Sequence, residues 1–240
     1  MQDRDGLPPP LDPARDALFL DFDGTLVEIA PRPGAVIVPP GLVPLLLRLS
    51  VAGGGAVAIV SGRSLPELAR FLEGFDGAMV GSHGAERRGL PPAPLPEGLA
   101  DLQAAARLLA EAEGLHLEIK TRGVALHYRQ VPERGAQAEG VAQALAAAFP
   151  AFAVQPAKMA FELKPRGVSK DAALAALMDQ APFAGRRPVY LGDDATDEPA
   201  IRWCADRGGY GIKVGTGDSA ARCRLDGPQA VLDWLGRAGG

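Results

Sequence analysis

Two aspartates spaced i, i+2 carry the first candidate chemistry in this chain. Asp21-Phe22-Asp23-Gly24-Thr25-Leu26 follows directly on the apolar run Ala17-Leu18-Phe19-Leu20. Side chains at i and i+2 of an extended strand share a side, roughly 6–7 Å apart. One carboxylate can attack as a nucleophile, while the other gives a proton to a leaving oxygen and later takes one from water. Both are anionic, so a magnesium ion is expected to gather them with an incoming phosphate. Asp-x-Asp-Gly is also an ordinary turn composition; its place at the end of a core strand favours chemistry.

Three further strings supply what such a reaction needs. Val60-Ser61-Gly62-Arg63 ends a second apolar run, and a hydroxyl with free N–H groups at that turn suits a phosphoryl oxygen. Arg63 at the same mouth can clamp an anion or pair with an acidic wall residue. Gly192-Asp193-Asp194-Ala195-Thr196-Asp197-Glu198 crowds acids that would repel one another without a cation. Asp193, at the strand end, is the natural third protein contributor to the metal. Asp197 or Glu198 is expected to order the turn. Lys170 opens a helix, where the dipole repels a cation. That conflict points to a compensating anion, the phosphorylated intermediate.

These residues need elements to hold them. Ala17–Leu20, Ala56–Val60 and Pro188–Leu191 read as buried strands, with amphipathic helices over 42–49 and 65–72 between or after them. Ser64 with Glu67 three residues on marks the start of the second helix. Strand, helix, strand, helix predicts a parallel sheet with crossovers, whose ligands bind beyond the strands' carboxyl ends. The middle departs from this pattern. After the proline-rich 91–96 come a helix over about 97–113, a hairpin over 115–128 turning at 121–123, a helix over about 134–149 and a strand over 158–163. We expect an α+β module at 91–163 inserted into an α/β core made of 1–90 and 164–240. On the hairpin Glu118 and Lys120 share a face, as do Glu162 and Lys164 on the closing strand. Paired acids and bases of this kind can hydrogen-bond sugar hydroxyls; solvent-facing charge is the plainer alternative.

Composition narrows the partners. The 240 residues carry a formal charge of −4 and only 5% aromatics, which argues against nucleic acid. Cys204 and Cys223 are too few for a disulfide framework or a thiolate zinc site. No run approaches the roughly 20 apolar residues of a membrane span, and the start lacks an apolar secretory stretch. A soluble cytoplasmic monomer is expected.

Hydrophobic-hydrophobic-Asp-x-Asp-Gly-Thr-hydrophobic resembles the opening motif of haloacid dehalogenase-like phosphohydrolases. That resemblance implies a Rossmann-like core with an inserted cap. Together with Val60–Arg63, His83-Gly84-Ala85-Glu86, Glu118-x-Lys120, His127-Tyr128-Arg129, Glu162-Leu163-Lys164-Pro165 with Lys170, and 192–198, the chain is similar to the trehalose-6-phosphate phosphatase family over about 18–214. Ser82 stands where that family usually has Asn, Lys164 where Arg is common, and Asp171 where Gly often follows the lysine.

The resemblance implies a Mg²⁺-dependent phosphatase. Asp21 is its nucleophile and Asp23 its acid and base, with Ser61 and Lys170 on the phosphoryl oxygens. Asp21, Asp23 and Asp193 hold the metal. Thr25, Gly62, Arg63, His83, Glu118, Lys120, Arg129 and Glu162 contact substrate, a phosphorylated disaccharide, beneath a closing lid. Phosphatases of sucrose phosphate, mannosylglycerate phosphate or hexose phosphates are the sibling readings. A silent sugar-phosphate-binding module and a phospho-acceptor signalling domain come from other classes. The chain carries no glycosyltransferase domain.

Overall fold

Apolar residues alternating along short strands force helices onto both sides of a sheet, and this governs most of the chain. The computed structural model describes residues 6–89, 95–157 and 159–238. The proline-rich connector expected at 91–96 falls mostly outside them, as does Lys158. The chain divides into two compact units, Met1–Pro92 with Ser169–Gly240, and Ala93–Val168.

The first unit holds a seven-stranded sheet. Its strands are β1 (Asp16–Leu20), β2 (Val57–Val60), β3 (Ala78–Gly81), β4 (Glu86–Arg88), β9 (Arg187–Gly192), β10 (Tyr210–Val214) and β11 (Cys223–Leu225). They lie in the order β11-β10-β9-β1-β2-β3-β4. Every pairing is parallel except β3 with β4. From the central β1 the chain first builds β2 to β4 on one side, then returns to build β9 to β11 on the other. The carboxyl end of β1 is therefore the switch point, where open α/β sheets hold their ligands.

Period-two alternation divides the core. Leu18, Leu20, Val57, Ile59, Val189 and Leu191 face one layer, packed under α1 (Leu42–Ala52), α2 (Leu65–Phe71) and α7 (Pro228–Ala238). Ala17, Phe19, Ala58, Val60 and Tyr190 face the other, under α5 (Lys170–Met178) and α6 (Glu198–Asp206). At the start of α2 the Glu67 carboxylate accepts from the Ser64 N–H at 3.1 Å and its hydroxyl at 2.6 Å. That is the capping box expected from Ser64 and Glu67.

The second unit is a four-stranded antiparallel sheet backed by α3 (Leu99–Ala112) and α4 (Gly135–Ala148). The strands β5 (His116–Lys120), β6 (Gly123–His127), β7 (Phe152–Ala157) and β8 (Ala160–Pro165) are ordered β5-β6-β8-β7. Strand β7 was not anticipated, because Pro156 breaks its pattern. It lies on the sheet edge, where a residue without an N–H is tolerated. Among the described residues, no helix is long and apolar enough to cross a membrane.

Candidate active site

Asp21 is the first residue past β1, and its N–H donates to Leu191 O at 3.0 Å, which keeps it in line with β9. Beyond it the chain doubles back: Leu26 N–H and Val27 N–H both donate to Phe22 O, at 2.9 and 3.1 Å. Gly24 turns this loop at φ +76°, and a Cβ there would fall 2.0 Å from an Asp193 carboxylate oxygen. Glycine is thus required twice, for the left-handed backbone and for the close approach of Asp193.

Lys170 supplies the opposing charge. It is the first residue of α5, only 3% exposed, with Ser169 capping the helix by accepting from Ala172 N–H at 3.4 Å. Its Nζ donates to Asp21 Oδ1 at 2.7 Å and to Asp197 Oδ1 at 2.5 Å. The anions that settle this helix-start lysine are protein carboxylates, joined across 149 and 27 residues of chain. Asp197 is bracketed in turn: the Tyr190 hydroxyl donates to its Oδ1 at 2.5 Å, and Asp194 N–H to its Oδ2 at 3.0 Å. Tyr190 is fully buried, and its hydroxyl requires such a partner.

Oxygens of Asp21, Asp193 and Asp197 lie within 4.8 Å of one another. Burial pushes the Asp21 carboxyl well above its ordinary range; Asp197 and Asp193 add to this, and Lys170 opposes it. Burial, then Asp197 and Asp194, push Asp193 up to about 6. Burial would lower Lys170, but Asp21 and Asp197 overcome it and hold the ammonium raised. Three clustered carboxylates against Lys170, with Lys213 at the Asp193 carbonyl, leave surplus negative charge, and oxygen donors of this kind fit a hard divalent cation. Asp197 accepts three bonds, from Lys170, Tyr190 and Asp194 N–H, against two on Asp21, so Asp21 and Asp193 are the better placed to ligate. The acidic string at 192–198 marked Asp193 for metal; the attachment of Asp197 to Lys170 and Tyr190 is new.

The other expected residues group around this centre or stand apart from it. Thr25 Oγ1 donates to Asp21 Oδ2 at 3.4 Å, so it touches the nucleophile candidate itself. Asp23 turns to Arg63, whose Nε and Nη2 reach its two oxygens at 2.6 and 2.7 Å. That guanidinium also lies 4.9 Å from the Phe71 ring centroid. Ser61 is buried at the end of β2, and its Oγ accepts from Arg63 N–H at 3.2 Å. Gly62 gives way to His83: a Cβ on Gly62 would sit 2.6 Å from the imidazole.

Ser82 and His83 both adopt left-handed backbone, φ 48° and 56°. Such conformations persist only where surrounding bonds enforce them. Here Ser82 N–H donates to Arg63 O at 2.7 Å and His83 N–H to Ser61 O at 2.9 Å. Buried Glu86 completes the clamp, accepting from Leu65 N–H at 2.7 Å and the Ser82 hydroxyl at 3.0 Å.

In the second unit, Val124, Leu126 and Leu163 face the helices. Registers of Glu118 with Ala125 and of Ala125 with Glu162 therefore set both acids on the opposite face. Lys120 Nζ donates to Glu162 Oε1 at 2.6 Å, and Glu118 meets His127 Nε2 at 2.8 Å. That bond to His127 holds the Glu118 carboxyl below its ordinary range. Arg129 is exposed just past β6.

The sequence profile of the trehalose-phosphatase family matches residues 19–229. The chain is 41% identical over 228 residues to trehalose-6-phosphate phosphatase of Escherichia coli (strain K12), covering 92% of this chain and 86% of that one. It is 41% identical over 211 residues to a probable trehalose-phosphate phosphatase of Sinorhizobium fredii, covering 83% and 77%. Among solved structures, a trehalose-6-phosphate phosphatase related protein superposes with TM-score 0.73 at 27% identity, covering 92% of this chain and 96% of that one.

Proposed function

The chain belongs to the trehalose-phosphatase family, and on that premise we propose that it hydrolyses trehalose 6-phosphate to trehalose and inorganic phosphate with Mg²⁺. The observation that carries the phosphoryl-transfer reading is the buried array Asp21–Lys170–Asp197 beside Asp193. The trehalose reading draws on the two relatives 41% identical to this chain, whose names specify that substrate.

An Asp21 oxygen attacks phosphorus as the bond from phosphorus to the sugar oxygen breaks, giving an aspartyl phosphate. Asp23 gives its proton to the departing sugar oxygen. It then takes a proton from water, whose oxygen attacks phosphorus, breaks the acyl-phosphate bond and regenerates Asp21. Lys170 and the Ser61 hydroxyl offset charge on the phosphoryl oxygens. Asp21, Asp193 and the backbone carbonyl of Asp23 would hold Mg²⁺, which supplies charge neutralisation for the phosphoryl group.

We assign the second unit, Ala93–Val168, the role of substrate-reading cap. Glu118, Lys120 and Glu162 bind glucose hydroxyls from the polar sheet face, with Arg129 at its margin. Arg63 holds Asp23 in place, and Thr25, Gly62 and His83 are assigned to the substrate. Two free cysteines fit a reducing compartment, and we place the enzyme in the cytoplasm as a monomer.

Phosphate release over a panel of sugar phosphates, with Mg²⁺ and with chelator, tests this reading. Turnover of trehalose 6-phosphate well above that of sucrose phosphate and glucose 6-phosphate is expected. Preference for either of those would overturn the substrate, and binding without turnover would overturn the enzyme.

A further inference from the structure

One buried cation stands outside the mechanism. Lys213 is the penultimate residue of β10, 4% exposed, between Ile212 and Val214, which both point into the core layer of α1 and α7. Alternation sends Lys213 to the other face, where a Leu or Met would be expected. Among the described residues its Nζ forms no ion pair with a carboxylate. It donates to the backbone carbonyl of Asp193 and, at 2.8 Å, to that of Val214.

Burying an ammonium against neutral carbonyls is costly, and an apolar side chain would fill the place more cheaply. The location gives the cost a purpose. Lys213 pairs in register with Gly192, the last residue of β9, so its side chain runs along the sheet to the next residue, Asp193. There β9 ends, and the ammonium takes the Asp193 carbonyl. On its side-chain end the same residue packs against Gly24, where even a Cβ would collide with the carboxylate. Asp193 is therefore held at both ends, its carbonyl by Lys213 and its carboxylate by the Asp21–Leu26 loop.

We infer that Lys213 is a positioning residue for the metal: it pins the Asp193 backbone so that the carboxylate stands beside Asp21 as a preformed ligand. The inference rests on the metal reading of the acidic cluster. It also has a sign that separates it from simple electrostatics. Removing a positive charge near a cation site should tighten cation binding, whereas releasing a ligand should weaken it. Outer-shell partners of metal ligands are typically worth about 10–100-fold in metal affinity.

The test is direct Mn²⁺ binding, followed by electron paramagnetic resonance or calorimetry, with a thermal melt of each protein. Lys213→Met is expected to raise the Mn²⁺ Kd about tenfold or more, with Lys213→Arg recovering most of the affinity. Should Lys213→Met fail to fold, Lys213→Leu, which likewise removes both donor and charge, carries the same comparison. A lower melting temperature with unchanged Kd would mark a purely structural lysine and overturn the inference, as would tighter binding. Absence of Mn²⁺ binding by the wild-type protein would overturn the metal reading itself, and this inference with it.

Discussion

Arg63 grips Asp23 through both carboxylate oxygens, with Nε at 2.6 Å from Oδ2 and Nη2 at 2.7 Å from Oδ1. The acid/base candidate is thus held by a planar fork 40 residues away in sequence. It can deliver a proton to a sugar oxygen only after at least one of these bonds opens. Arg63 is itself seated on Phe71 and lies 3.5 Å from Glu67, so its position is set independently of substrate. Charge alone will not substitute for the fork. Arg63→Lys should therefore lower kcat about tenfold while KM stays within about threefold. Steady-state kinetics on trehalose 6-phosphate check this; a rise confined to KM would make Arg63 a substrate clamp instead.

Asp21→Asn removes the attacking oxygen but keeps the shape of the loop. Turnover should fall at least about 10³-fold, by analogy with the loss of other covalent nucleophiles. Rapid-quench detection of an acid-stable phosphoryl-enzyme in wild type, and none in the variant, is the matching measurement. Near-normal turnover would remove Asp21 from the role.

Lys170→Met strands two carboxylates, Asp21 and Asp197, in a buried site. Breaking a buried pair of this kind typically costs about 3–5 kcal/mol. Urea denaturation should register that loss in the metal-free protein. Mg²⁺ should recover part of it, because the cation replaces the missing positive charge.

Asp193 is pushed up to about 6 by burial, Asp197 and Asp194, and Asp21 is raised in the same direction. The folded state accordingly keeps protons that the unfolded chain releases near pH 4. As pH rises from about 4 through 6, this pair therefore lowers the stability of the metal-free protein. Mg²⁺ competes with those protons, so its stabilising effect must grow over the same range. Melting temperatures with Mg²⁺ and with chelator should diverge steadily between pH 5 and 7. A constant gap would show that neither carboxylate titrates there.

Glu162 and Lys120 meet at 2.6 Å on the polar sheet face of the second unit. If they read the sugar, Glu162→Gln should weaken the kcat/KM for trehalose 6-phosphate about 10–100-fold, the range of a lost charged hydrogen bond. Hydrolysis of p-nitrophenyl phosphate, which has no sugar to read, should change little. Equal losses on both substrates would place Glu162 outside specificity.

Much of this was readable in one dimension because the interactions involved are local. Alternating apolar residues specify strands, glycine after paired aspartates specifies a turn, and Ser64 with Glu67 specifies a helix start; each depends on neighbours within about four residues. The sequence by itself thus determined that acids, a serine and a lysine stand at strand ends and helix starts. The motifs extended that to a family.

Only the tertiary structure decided the partnerships. Thr25 bonds to Asp21, Arg63 forks onto Asp23, and Asp197 bridges Lys170 and Tyr190. Lys213 meets the Asp193 carbonyl only because β10 lies beside the end of β9. Strand β7 escaped because its Pro156 is admissible only on an edge, and edges exist only once strands are ordered. Burial, which lifts Asp21 and Asp193 and makes the acidic cluster fit a cation, is likewise a property of packing. Local spacing chooses which groups are available, and desolvation and long-range pairing choose what charge they carry and which neighbour they hold.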